Sequence, residues 1–229
     1  MNNKILQECL VALLAPTRWN LTEKQPPGQY PRPWLSVIAS AILGFVLWLA
    51  GLAAGKIVRQ PALAPVLSAA IVCLLYGWLS NWRQANIPAT LATLLTGGEG
   101  SSSPTVAYRP ALSLGLQLLR PAIYYLLFRY GGGAWLIASF ALGEQFALEG
   151  ARGADRQGMV IARVLTGALL FLSAEIVHTG FLSAVLLLIF GWLLCYRLLQ
   201  STTTASSPSL LRYSGELLVL LTVLICFAV

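Results

Sequence analysis

Residues Pro33 to Gly55 read PWLSVIASAILGFVLWLAGLAAG, an apolar run without one charged side chain, opened by a proline and closed by Lys56. A helix of that length rises far enough to cross a hydrocarbon core of about 30 Å. Pro33 suits the first turn of such a helix, where its missing N–H is not needed. Similar runs recur along the chain, so the fold class is all-α and the protein polytopic. The spans are expected at 33–55, 63–80, 110–128, 132–148, 160–176, 179–198 and 211–229, about seven transmembrane helices in a single domain over residues 1–229.

Composition agrees. The chain of 229 residues is 57% hydrophobic and 10% charged, with a mean hydropathy of +0.74. A soluble globular domain carries about 25% charged residues. Before the first span, residues 1–32 form an N-terminal segment. In it Ile5, Leu6, Cys9, Leu10 and Leu13 fall on one helical stripe, as in an amphipathic helix lying in the membrane interface. Gln7 and Glu8 interrupt any signal-peptide core. Trp34, Trp48, Trp78, Trp82, Trp135 and Trp192 fall mostly near span ends, as an aromatic belt requires.

Lys and Arg number 15 against 8 acids, a formal charge of +7. In so apolar a chain this points to cytoplasmic loops beside anionic lipid rather than to nucleic acid. With a cytoplasmic N-terminus, only Lys56, Arg59 and Arg129 fall on the opposite side and Arg120 lies within a span. All other basic residues are then cytoplasmic. The positive-inside rule selects this topology, which puts the C-terminus outside and the long loops 81–109, 149–159 and 199–210 on one cytoplasmic face of the inner membrane.

The acids exclude several chemistries. Glu8, Glu23, Glu99, Glu144, Glu149, Asp155, Glu175 and Glu216 are all there are, and no two lie within four residues of one another. Transferases acting on diphosphates hold Mg²⁺ between clustered carboxylates, because a hard cation bridging phosphate oxygens needs anionic oxygen ligands. No such cluster is written here, and no metal site is expected. His178 is the one histidine, which excludes a His-rich metal site or a haem held by two imidazoles of this chain. Cys9, Cys73, Cys195 and Cys226 stand singly, outside any CxxC or disulfide pattern.

The polar residues that remain define the candidate site. Arg120 falls near the middle of the third span, where an unpaired charge is costly. Glu144 of the next, antiparallel span is its expected partner. Glu216 opens the last span near the cytoplasmic surface, and Glu175 and His178 suggest an interfacial pair on the other side. On the cytoplasmic loops, Asn81, Arg83, Asn86, Arg109, Glu149, Arg152, Asp155 and Arg156 could gather around a phosphorylated amphiphile. The glycines of 150–158 would present backbone N–H groups beside the guanidinium forks. A solvated, positive-inside turn explains the same letters.

The layout resembles a known family. An N-terminal segment ending Thr17-Arg18 is followed by Tyr30-Pro31, a first span containing Leu43-Gly44, a second beginning Pro61-Ala62-Leu63-Ala64-Pro65, and a polar stretch after Leu75-Tyr76-Gly77-Trp78-Leu79. The chain closes with a Thr-rich loop and Gly215-Glu216-Leu217-Leu218. This is similar to adenosylcobinamide-GDP ribazoletransferase, the cobalamin-5′-phosphate synthase family. The resemblance implies an inner-membrane enzyme of cobalamin biosynthesis that joins an activated corrinoid to α-ribazole with loss of GMP, using Mg²⁺. The family's first motif, His-Leu-Asp-Gly with two further aspartates, is here Trp78-Leu79-Ser80-Asn81-Trp82-Arg83-Gln84-Ala85-Asn86. The later acidic motifs would fall at Ser101-Ser102-Ser103-Pro104 and Thr204-Ala205-Ser206-Ser207, again without acids. A weaker resemblance, through Tyr76, Asn81 and Ala162-Arg163-Val164-Leu165-Thr166-Gly167, is to UbiA-type prenyltransferases, whose Asp-rich motifs are likewise missing. Two functions follow as expectations. One is a transferase-like pseudoenzyme acting as a subunit of a membrane complex, or as a scaffold for a pigment, lipid or quinone. The other is an active transferase that retains the ancestral chemistry. Apolar binding needs no acids and fits the inventory better.

Overall fold

The computed structural model describes residues 8, 11–12, 32–80, 87–95, 108–150, 155–178, 182, 185–193 and 208–228, and among these the chain is helical with no strand. Seven α-helices carry the architecture: α1 (Pro33–Ile57), α2 (Ala64–Leu79), α3 (Ile87–Leu95), α4 (Arg109–Arg129), α5 (Trp135–Gly150), α6 (Arg156–Val177) and α7 (Pro208–Ala228). A further helical stretch covers 185–193. Of these helices α1, α4 and α6 are long and apolar enough to cross a membrane, and α2 is a shorter apolar helix.

Local chemistry sets the helix ends. Prolines occupy the first turns of α1, α2 and α4, where no N–H is lost. Lys56 and Arg129 fall in the last turns of α1 and α4, against the negative end of the helix dipole. After Arg129 the chain turns through Gly131, at φ 76°, a left-handed conformation that glycine adopts without Cβ strain. A 3₁₀ turn, Gly132–Ala134, follows before α5 begins. The span expected at 132–148 therefore starts as a tight turn and is helical from Trp135. In the loop expected at 81–109 the apolar piece forms α3, which packs against α4.

The middle of the bundle is α5. Residues 138–147 are all buried, on every side of the helix, as in a helix enclosed by protein. It packs against α7, α1 and α6, while α1 also meets α2, and α2 meets α4. Close approach depends on absent side chains. A Cβ on Gly44 of α1 would lie 2.6 Å from the Leu136 carbonyl of α5, and one on Gly215 of α7 would lie 2.9 Å from the Gly143 Cα.

The polarity is that of a bundle solvated by lipid. Ile42, Phe45, Val46, Leu49 and Leu52 on α1 and Val160, Ile161, Val164, Phe171 and Leu172 on α6 are exposed, whereas Ser40, Ser68, Ser139, Glu144, Thr166, Ser173 and Glu216 are buried. Apolar faces of this extent in water would mark interaction surfaces. Inside, the hydroxyls bond within the bundle: Ser68 donates to the Gly51 carbonyl across the α1–α2 contact at 2.7 Å, and Thr166 donates to the Ala162 carbonyl at 2.9 Å.

One expectation about placement is corrected. Trp135 is no belt residue, because it is fully buried at the start of α5 with its indole N–H unpartnered among the described residues. Trp78 and Trp192 are about half exposed. In the N-terminal segment Glu8, Val11 and Ala12 are helical, Ala12 packs with Leu35 and Ala39 of α1, and Glu8 pairs with Arg32 at 3.5 Å.

Candidate functional site

The two buried acids and their partners converge where α1, α2, α4, α5 and α7 meet. Along α7, Arg212 and Glu216 are four residues apart, so both project from one face. Glu216 forms an ion pair with Arg120 of α4, and its other carboxylate oxygen accepts the Tyr76 hydroxyl of α2 at 3.1 Å. Arg212 forms an ion pair with Glu144 of α5, whose carboxylate also accepts the Ser40 hydroxyl of α1 at 3.3 Å. The expected Arg120–Glu144 pair is thus overturned: each residue takes a partner on α7, which supplies one charge of each sign to two different neighbours.

Aromatic rings enclose the first of these pairs. The Arg120 guanidinium carbon lies 4.8 Å from the Tyr76 ring centre and 4.9 Å from that of Tyr213, so the cation is held between two π faces. Phe140 meets Tyr76 edge-on at 4.8 Å. The Tyr213 hydroxyl donates to the Leu116 carbonyl at 3.0 Å, next to the turn of α4 in which Pro121 can donate no backbone hydrogen bond. One turn beyond Arg120, the fully buried Tyr124 hydroxyl has no hydrogen-bond partner among the described residues.

This geometry defines what the acids can do. Glu216 is 1% exposed, and a carboxylate in an apolar interior is tolerable when paired and hydrogen-bonded. Both conditions are met by residues of this chain. To ligate a cation, either carboxylate would first have to release its arginine and leave that charge buried alone. Among the described residues no three His, Cys, Asp or Glu side chains come together in a metal-holding group. The Mg²⁺ implied by the resemblance to the ribazoletransferases therefore does not fit the described residues.

The candidates expected on the loops are distributed differently. Asn81, Arg83, Asn86 and Arg152 lie outside the described residues. Arg109 opens α4. Asp155 caps α6, its carboxylate accepting the N–H groups of Gln157 and Gly158 at 3.2 and 3.0 Å, the arrangement expected of an N-cap. Arg156, next in the chain, is exposed. Glu149, at the end of α5, makes a two-pronged pair with Arg163 of α6, at 2.7 Å from Nε and 3.0 Å from Nη2, and the Arg163 guanidinium lies 4.8 Å over the Trp192 ring. At the far end of α6 His178 closes the helix in a left-handed conformation, φ 57°, its backbone N–H donating to the Glu175 carbonyl. No side-chain pair joins those two among the described residues.

Tyr76, Arg212, Tyr213 and Ser40 were not candidates on sequence grounds. The available signal was the i, i+4 spacing of Arg212 and Glu216 on an apolar helix, which places a charge of each sign on one buried face. No family model matches the chain, and neither a curated protein nor a solved structure matches it significantly.

Proposed function

We propose that this chain is a non-catalytic integral membrane protein, a transferase-like scaffold that serves as a subunit of a membrane complex or holds a hydrophobic molecule. The observation that carries this reading is that Glu144 and Glu216, the two carboxylates buried in the bundle, are both charge-compensated by arginines of the same chain. Internal neutralisation holds helices together and leaves neither of these two carboxylates to work on a diphosphate. The sequence layout shared with the ribazoletransferases, without their acids, supports descent from an enzyme that kept its architecture and lost its chemistry.

The same proposal includes the topology: seven spans in the inner membrane, the N-terminus cytoplasmic and the interfacial segment on that side. The basic residues support it by their distribution, and the apolar outer faces of α1 and α6 support burial of those helices in lipid.

The test is purification of the full chain in a gentle detergent, with mass spectrometry of every polypeptide and small molecule that accompanies it. Stoichiometric partner subunits or a retained hydrophobic ligand are expected. A chain that carries a corrinoid or a prenyl diphosphate and turns it over would overturn the scaffold reading and restore the transferase.

A further inference from the structure

A groove of about 390 Å³ opens on the outside of the bundle between α5, α6 and the helical stretch 185–193. Its apolar wall is made by Leu142 and Phe146 of α5 and by Leu188, Ile189 and Leu193. Leu142, Gln145, Phe146 and Glu149 follow the i, i+3, i+4, i+7 spacing of one helical stripe, so the groove runs along α5 for two turns, roughly 10 Å. Its mouth faces where the bilayer would be, because Ile189, Trp192 and Leu193 are about half exposed.

One end of this apolar channel is polar. Glu149 and Arg163 line it as a bidentate pair, and Trp192 closes the side beneath the guanidinium. Gln145, one turn deeper, is 7% exposed and lines the groove. A primary amide offers two donors and an acceptor to whatever lies against it. The Gln145 amide can therefore bond a polar group seated in the groove.

We propose that this groove holds one zwitterionic glycerophospholipid of the phosphatidylethanolamine type. The inference rests on the scaffold reading above, whose ligand it names. The charges at the groove end select the headgroup. An anionic headgroup meets an arginine already compensated by Glu149 and is repelled by that carboxylate; a cationic one meets the reverse. A headgroup carrying both charges lies antiparallel to the pair, its phosphodiester toward Arg163 and its ammonium toward Glu149. The ester region then reaches Gln145 and an acyl chain follows the Leu142–Phe146 wall into the bilayer. The pair lies at the α5–α6 connection, on the face assigned to the cytoplasm by the positive-inside rule, so the polar end stands at headgroup level.

The experiment uses the full chain in detergent micelles, titrated with phosphatidylethanolamine or phosphatidylglycerol brominated on the acyl chains. Fluorescence quenching is read as the difference between the parent and Trp192→Phe, which isolates the groove from the other tryptophans. Half-saturation is expected at a concentration lower for phosphatidylethanolamine by roughly fivefold or more, the affinity of about one charge-assisted hydrogen bond. Glu149→Gln leaves Arg163 uncompensated, and the preference is expected to pass to phosphatidylglycerol, a reversal that loss of structure would not produce. Gln145→Leu is expected to weaken phosphatidylethanolamine binding several-fold without reversing the preference. Equal quenching by the two lipids in the parent overturns the proposal without need of any variant, as does an unchanged preference in folded Glu149→Gln. Displacement of the brominated lipid by a quinone but not by phosphatidylethanolamine also overturns it. Loss of this selectivity in a protein that still co-purifies with partner subunits removes the lipid and leaves the scaffold standing. Selectivity in a protein that turns over a corrinoid removes the scaffold and leaves the lipid.

Discussion

Arg212 and Glu216 stand one turn apart on the same face of α7 and are tied to different helices, Arg212 to Glu144 on α5 and Glu216 to Arg120 on α4. α7 thereby acts as a strap. Two opposite charges on one helix face would be costly in an apolar interior if either stood alone, and here each has its counter-ion on a separate neighbour. The arrangement is specific in register: sliding α7 by one turn would bring Arg212 opposite Arg120.

Breaking one of these pairs should cost far more than removing it whole. Arg120→Met leaves the carboxylate of Glu216 buried without its counter-ion, and a loss of about 3–5 kcal/mol is expected. Arg120→Met combined with Glu216→Leu removes both charges and should recover most of that loss. Unfolding of the purified protein in mixed detergent, run as a double-mutant cycle, provides the measurement. Additive losses would show that the two side chains do not depend on one another.

The glycines at the α5–α7 contact make a second, independent prediction. A Cβ at Gly143 would lie 2.7 Å from the Arg212 carbonyl oxygen and 2.8 Å from the Glu216 Cγ, so Gly143→Ala must separate the helices that carry both ion pairs. A destabilisation of about 1–3 kcal/mol is expected. Gly115 of α4 has nothing within 4 Å of the same position, and Gly115→Ala should leave stability unchanged or raise it by up to about 1 kcal/mol, the helix propensity gained. Melting temperatures of the two variants in one detergent test the contrast; equal behaviour would deny that α5 and α7 meet at Gly143.

Much of the helical layout was legible because apolar run length is a direct reading of helix length: the stretch at 33–55 became α1 at 33–57, and 110–128 became α4 at 109–129. The pairing of Arg120 was not legible. Depth by residue count sets Glu144 near Arg120 only if consecutive spans are neighbours across that layer. α7, from the far end of the chain, packs on α5 instead and brings its own charges. That contact depends on the Gly143–Gly215 approach, which no periodicity announces. Tyr76 and Tyr213 were hidden for a related reason, since an aromatic residue in an apolar run reads as core until the cation it faces is placed. The capping role of Asp155, immediately before the helix, was not legible, because the letters of 149–159 suit a phosphate site or a solvated turn and do not show where the helix starts.

The proposed topology predicts where reporters work. With seven spans and a cytoplasmic N-terminus, alkaline phosphatase fused after Val229 should be active outside the inner membrane, and the same enzyme fused within residues 151–154 should be inactive. Adding two lysines beside Arg129, in the turn before α5, opposes the positive-inside rule and should lower the fraction of correctly inserted chains. An active fusion at 151–154 would invert the orientation and move the Glu149–Arg163 end of the groove to the other side of the membrane.

Asp155 separates capping from catalysis. Its carboxylate accepts two backbone N–H groups at the start of α6, and an asparagine side-chain oxygen can do the same, since Asn and Asp cap about equally well. Asp155→Asn should therefore melt within about 0.5 kcal/mol of the parent, whereas Asp155→Ala should lose about 1 kcal/mol, both read from unfolding in detergent. If Asp155 instead held a cation for a transferase reaction, the asparagine variant would lose activity while keeping its stability, because a neutral amide is a much poorer ligand for a hard divalent ion than a carboxylate. Co-purification of partners or ligand with Asp155→Asn at the parent's level, together with a destabilised Asp155→Ala, is the outcome expected of a residue whose work is to start a helix.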